Sequence, residues 1–230
     1  MTNHNPHVAE FIALFNQTAR YHHRYEVFRD FVQMAACAVH NQVAFSQLLE
    51  DEYLTLVKRY ERDDVNRMGK LLGILCNGLG QQQPIYDDML GRIFMNLELG
   101  DARRGQFFTP FDVSRMMATL TVHDLESKLK QASFLTVGEP ACGAGGMVIA
   151  VAEQFSLAGY PPHRWVFASC IDIDPLAAAM CYLQLSLLHI PAEVITGNSL
   201  TVQYSRIIRT PAYYLHGWSV RLETHEKSVV

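Results

Sequence analysis

Phe134-Leu135-Thr136-Val137-Gly138-Glu139-Pro140-Ala141-Cys142-Gly143-Ala144-Gly145-Gly146 is the stretch on which the fold turns. It begins as a short apolar strand and breaks into a loop of small residues. The loop then opens an apolar helix, Met147-Val148-Ile149-Ala150-Val151-Ala152. A strand, a glycine loop and a helix in that order let backbone approach a ligand where a side chain would block it. They also aim the N–H groups of a helix N-terminus at whatever sits there. Glycine loops equally serve as plain tight turns, so the flanking sequence has to decide between the two.

Downstream, Trp165-Val166-Phe167-Ala168-Ser169-Cys170-Ile171 has the apolar, β-rich content of a buried strand. It ends in Asp172-Ile173-Asp174-Pro175, and Leu176 to His189 follows as an apolar helix. Strand–helix–strand–helix implies a parallel sheet with right-handed crossovers, which places ligands at the carboxyl ends of the strands. An acidic residue at the end of the second strand is placed to hold ribose hydroxyls. Asp172 is the candidate for that, and Asp174, followed by Pro175, for a helix cap; the two roles could be exchanged. Ala192-Glu193-Val194-Ile195-Thr196 reads as a third strand, with Gly197-Asn198-Ser199-Leu200 at its carboxyl end. Asn198 can donate and accept to a base edge, or serve as a turn residue. Ser205-Arg206-Ile207-Ile208-Arg209 reads as a fourth strand, followed by Thr210-Pro211-Ala212-Tyr213-Tyr214.

Upstream, Val8 to about Leu99 is helical in pattern throughout, with apolar residues spaced by three and four. Asp63-Asp64 begins one helix, Gly78 and Gly80 close it, and Pro84 suits the first turn of the next. A polar break at Gly100–Gly105 divides a helical domain, residues 1–100, from an α/β domain, residues 101–230. The adjacent Arg103-Arg104 beside it could contact phosphate or simply face solvent. Next come Phe107-Phe108-Thr109-Pro110-Phe111-Asp112. Thr109 is placed to cap a helix, with Pro110 at its first position and Asp112 completing a Thr-x-x-Asp box. The two phenylalanines before the cap fit either ordinary core or an apolar wall for a flat heterocycle.

The 230 residues are 49% hydrophobic, enough for a sizeable core, and the formal charge of −4 rules out a global basic field. Five cysteines without a C-x-x-C pair read as reduced thiols, and neither they nor His22-His23 make a metal site. The N-terminus lacks the form of a signal peptide, and no apolar run is long enough to span a bilayer. The composition thus reads as soluble and cytoplasmic.

Gly105-Gln106-Phe107-Phe108-Thr109-Pro110, Glu139-Pro140-Ala141-Cys142-Gly143-Ala144-Gly145-Gly146, Ile171-Asp172-Ile173-Asp174-Pro175 and Gly197-Asn198-Ser199-Leu200, in that order, resemble the N6-adenine DNA methyltransferases. Among these the modification subunits of type I restriction–modification systems are the most similar, including a helical domain before the catalytic one. The resemblance implies a Rossmann-like methyltransferase sheet that binds S-adenosylmethionine (SAM). It implies that an adenine is flipped out of DNA and methylated at its exocyclic nitrogen, with a specificity or other modification-system subunit as a further partner. By position, Phe107, Phe108 and Thr109 would pack against the methionine end and adenine of SAM. Glu139 would face the methionine amino group in place of the family's aspartate, beside Pro140. Gly143, Gly145 and Gly146 would admit the cofactor, Asp172 would hold the ribose, and Asn198 would stand near the cofactor adenine where the family usually has aspartate.

The family's catalytic motif, Asn-Pro-Pro-Phe or Asn-Pro-Pro-Tyr, is absent from these 230 residues. Thr210-Pro211-Ala212-Tyr213 is the nearest match in place, which makes Thr210, Pro211 and Tyr213 the candidate catalytic residues. About three further strands and a target-recognition region of the family pattern have no counterpart in this sequence. Two readings follow: an adenine-specific DNA methyltransferase of the restriction–modification type, or a non-catalytic SAM-binding accessory. A methyltransferase acting on RNA or protein is a third. An NAD-dependent oxidoreductase fits the glycine loop only loosely, because Glu139-Pro140 is foreign to the dinucleotide pattern.

Overall fold

The computed structural model describes residues 5–80, 86–100 and 107–229. Five helices come first: α1 (Pro6–Phe15), α2 (Arg24–Asn41), α3 (Gln47–Val57), α4 (Arg62–Gly80) and α5 (Met89–Asn96). Then follow α6 (Phe111–Thr121), α7 (Leu125–Gln131), β1 (Leu135–Glu139), α8 (Gly146–Leu157), α9 (Pro162–Trp165) and β2 (Val166–Asp172). The chain continues through α10 (Pro175–Leu187), β3 (Ala192–Asn198), β4 (Gln203–Arg209), α11 (Pro211–Leu215) and α12 (Trp218–Val229). The class is α/β, a Rossmann-like sheet preceded by helices.

The four strands lie in the order β1-β2-β3-β4. β1, β2 and β3 are parallel, with Glu139 beside Cys170 and Asp172 beside Thr196. This brings the ends of β1 and β2 to one edge of the sheet, where the loop after β1 lies. β4, for which the sequence set no direction, is the exception: it runs antiparallel to β3, pairing Asn198 with Gln203 and Glu193 with Arg209. The physical reason is the length of the connection. Only Ser199 to Val202 separate the two strands. A parallel return needs a dozen or more residues, whereas a hairpin needs only a few.

β2 shows how the layers form. Val166, Ala168 and Cys170 are buried in the main apolar cluster, while Phe167 points the other way into a smaller one with Phe134 and Trp218. This alternation is the period of two of a strand with both faces covered. α8 packs on β1 and β2 and against α6; α10 packs on β2 and β3 and, on its far side, against α2 and α5. Being covered on several sides, α10 is apolar almost all round, from Leu176 to Leu185.

In the helical part, Phe11, Phe15, Phe28, Phe31 and Phe94 interlock with centroids 5.4–6.2 Å apart, Phe11 stacked on Phe15 and the other pairs edge-to-face or tilted. The carboxylate of Asp30 is buried but accepts from Arg29, Arg59 and Tyr60, as a buried charge requires. One continuous apolar cluster runs from α1 to β3.

Two local expectations change. α6 begins at Phe111 with Pro110 in the capping position and no side-chain cap bond, so Thr109 precedes the helix rather than capping it. α5 begins at Met89, capped by the side chain of Asp88. Pro84, Gly105, Gln106 and the Arg103-Arg104 pair lie outside the described residues, as does most of the expected domain boundary. Among the described residues no helix is long and apolar enough to cross a membrane.

Candidate functional site

The loop after β1 is fixed from two sides. Cys142 N–H donates to Ile171 O at the end of β2 (2.9 Å), and Gly143 N–H donates to Asp172 Oδ2 (2.8 Å). Gly145 N–H then closes the turn onto Cys142 O (2.8 Å). Gly143 and Gly145 adopt φ of +52° and +92°, where an L side chain is strained. A Cβ at Gly143 would also stand 3.0 Å from the Phe108 ring, and one at Gly145 3.0 Å from Cys181 Sγ. From Gly145 the chain enters α8, whose first N–H groups point back at the loop.

Two cavities meet here. The larger, about 680 Å³, is lined by Tyr25, Phe94, Phe107, Phe108, Asp172 and Ile173, among others. The smaller, about 310 Å³, is lined by Asp88, Phe107, Phe108, Thr109, Glu139 and Gly146, among others. Phe107, Phe108 and Gly143 border both. Their sizes suit a nucleoside-bearing ligand laid across the loop, since small-molecule sites typically occupy roughly 300–1,000 Å³. Phe108 is anchored on Phe94 (centroids 5.1 Å apart, tilted by 59°), whereas Phe107 is 66% exposed. Phe108 therefore packs on the edge of the core while also lining both cavities, and Phe107 lines them from the solvent side.

Asp172 holds the junction. Its Oδ2 accepts from Gly143 and its Oδ1 from Asp174 N (2.9 Å). Each oxygen keeps a further lone pair, so the carboxylate can accept two more donors, as a ribose diol offers. Asp174 caps α10, its Oδ1 accepting from Leu176 N (2.8 Å), with Pro175 at the first helical position. Glu139 bends over the loop to accept from Ala141 N (3.3 Å). Pro140 makes the turn and lines neither cavity.

Ile173, Asp88 and Gln184 escaped the sequence reading. Ile173 is 69% exposed inside the larger cavity, an apolar side chain available to a flat ring. Asp88 is buried beside Gly146, and burial raises its carboxyl above the ordinary range. Gln184 Nε2 donates to Asp88 Oδ1 and to Ala144 O, both at 2.8 Å, and its Oε1 accepts from Leu90 N (2.9 Å). One amide thus ties α5, α10 and the glycine loop together. Gln184→Leu takes the amide partner from Leu90 N–H and Ala144 O in the core, which costs about 1–3 kcal/mol each, while Asp88 Oδ1 keeps the Gly91 N–H. We expect it to lower the melting temperature by several degrees and to weaken nucleoside ligands, read by calorimetry. An unchanged affinity would mean that the loop does not depend on this tie.

Other site candidates are not brought to the loop. Asn198 Oδ1 accepts from Leu200 N (2.9 Å) and Thr201 N (3.1 Å), so it closes the β3–β4 hairpin and lines neither cavity. Thr210, Pro211 and Tyr213 require the larger correction. Because β4 runs backwards, Thr210 lies beside Ala192, where its Oγ1 accepts from Ala192 N (2.9 Å) and donates to Ile190 O (2.8 Å). Asp172 lies level with Thr196, four residues further along β3, or ~13 Å of strand. Thr210 is fully buried, and Pro211 is buried at the start of α11. Tyr213 is packed on Phe167 and beneath the Arg209 guanidinium. These three residues are at the other end of the sheet, so no acceptor for a target amine comes from them.

A family model described as N-6 DNA methylase matches residues 85–218, more than half of the chain. No curated protein matches. A crystal structure from Listeria monocytogenes, described as a class I S-adenosylmethionine-dependent methyltransferase, is 17% identical with a TM-score of 0.45. The match covers 76% of this chain and 54% of that one, so the chain spans about half the length of that structure.

Proposed function

The chain belongs to the N-6 DNA methylase family, and from that premise we propose that it holds SAM for N6-adenine methylation of DNA in a restriction–modification system. The carrying observation is the pair of cavities joined at Gly143, with the Asp172 carboxylate on one side and Glu139 on the other. When bound, the cofactor supplies an electrophilic methyl group on a sulfonium.

The residues divide the work by chemistry. Asp172 accepts from the ribose hydroxyls, and Ile173, Phe108 and Phe107 flank the adenine. Glu139 faces the methionine ammonium, and the first N–H groups of α8 face its carboxylate. Gly143 and Gly145 keep the backbone low enough for the cofactor to cross. The helical unit, residues 1–100, serves in this proposal as the N-terminal domain, sharing its core with the sheet through α2 and α5, and the partners are DNA and a specificity or other modification-system subunit. A cytoplasmic site of action fits a DNA substrate.

A second reading has its own observation. The hydroxyl of Thr210 is spent on β3, and Asn-Pro-Pro is absent from these residues. This favours a SAM-binding accessory that leaves transfer to another chain. Calorimetry with SAM, followed by tritiated SAM and mixed-sequence DNA with and without candidate partner subunits, tests both. Label recovered as N6-methyladenine supports the enzyme; binding without label supports the accessory; no heat at millimolar SAM defeats both. Thr210→Val is expected to destabilise the fold by about 1–3 kcal/mol and to leave SAM affinity unchanged.

A further inference from the structure

Three histidines far apart in the chain meet at the end of the sheet opposite the glycine loop. His163 is on α9, just before β2; His189 follows α10, just before β3; His216 ends α11, just after β4. One ligand atom from each lies within 4.8 Å of the others. His189 Nε2 and His216 Nε2 are 2.7 Å apart, and the His163 ring is 4.5 Å from that of His216 and 5.5 Å from that of His189, centroid to centroid. We propose that His163, His189 and His216 form a binding site for a divalent transition metal of the zinc type, which fastens α11 and α12 to the sheet.

The donor set suits such an ion. Three imidazoles and a water satisfy zinc's preference for four nitrogen and oxygen ligands, and exclude calcium or magnesium, which take oxygen. Tetrahedral Zn–N bonds of about 2.0–2.1 Å place the nitrogens ~3.3 Å apart. The His189 and His216 nitrogens, 2.7 Å apart, would have to part slightly to reach that value, and all three ligand atoms already lie within 4.8 Å of one another. Two rings are half-buried and one is exposed, which leaves an approach for the ion and a water as fourth ligand.

The backbone around the cluster is already fixed. Trp218 Nε1 donates to His163 O (3.0 Å), and Arg221 Nη2 donates to Arg164 O (2.7 Å). His189 holds φ at +57°, two residues after α10 ends. Burial first, then the neighbouring histidines and Arg164, lowers the basicity of His163 and His216. An ion entering the cluster would replace the contact between the His189 and His216 Nε2 atoms, now 2.7 Å apart.

The site is separate from the cofactor loop, so the test separates it from the proposed function. Untagged full-length protein, stripped with EDTA, is titrated with Co²⁺ and then with Zn²⁺. The expectation is one ion per chain, with the visible bands of a four- or five-coordinate cobalt centre bleached by zinc. At a hundredfold excess of Zn²⁺ over Kd the melting temperature should rise by roughly 5–10 °C, and proteolysis within α12 should slow. His216→Ala should abolish all three effects. His189→Asn keeps a residue that tolerates the left-handed backbone and should do the same without unfolding the chain. His23→Ala should change nothing. Metal uptake that survives both variants, or no uptake at about 100 µM Zn²⁺, overturns the proposal. SAM affinity should be the same with and without chelator.

Discussion

Asp172→Ala is expected to lower SAM affinity at least about 100-fold while leaving the secondary structure intact. A hydrogen bond to a charged group is worth about 1.5–3 kcal/mol, and a ribose diol would lose two. The substitution also frees the Gly143 N–H, which now donates to Asp172 Oδ2 at 2.8 Å. The loop would then lose one of its ties to β2, and only the Cys142 N–H to Ile171 O bond would remain of the two. Asp172→Asn should lie between, since its amide oxygen can still receive Gly143 but carries no charge. Calorimetry with SAM, alongside circular dichroism of each variant, reads the order wild type, Asn, Ala. Equal affinity in all three would remove Asp172 from the site.

Arg115→Met is expected to cost about 3 kcal/mol of stability. Arg115 on α6 makes a bidentate pair with Glu153 on α8, at 2.8 and 3.0 Å, and also donates to Tyr86 O. The Glu153 side chain is only 5% exposed against 28% for Arg115, so removing the guanidinium strands a buried carboxylate. Methionine keeps the packing over Phe111, whose ring centroid is 4.5 Å from the guanidinium carbon, so the loss is electrostatic. A chain of this size should melt roughly 6–12 °C lower. Adding Glu153→Gln should recover part of the loss, because no charge is then left in the interior. A single variant that melts within about 2 °C of wild type would mean that water reaches Glu153.

The three parallel strands were legible because each is a short, β-rich apolar run. The glycine loop was legible because its residue types are dictated by backbone geometry: positive φ at Gly143 and Gly145 leaves few alternatives. The direction of β4 was not legible: the sequence pattern began that strand at Ser205, and the short connection from Ser199 to Val202 emerges only with the observed strand bounds. Thr210 was placed at the site by its position relative to the family motif alone. Contacts made at long range were not legible. Gln184 and Asp88 meet across 96 positions, and each taken singly is an ordinary polar residue in a helix or a cap. His189 and His216, 27 positions apart, were hidden for the same reason. Thr109 misled because a good capping residue stood two positions before the helix that Phe111 begins.

The order β1-β2-β3-β4 makes the two halves of the pocket mechanically unequal. β2 is hydrogen-bonded along both sides, so the Asp172 carboxylate is mounted on a stiff beam. β1 has β2 as its single strand neighbour among the described residues. The loop it carries is therefore mounted on a compliant one, braced from below by α8 and by the amide of Gln184. A ligand pressing the two halves together would move the glycine loop toward the carboxylate and leave the carboxylate where it stands. Tightness of grip would then be set by the brace beneath the loop as much as by the atoms that touch the ligand.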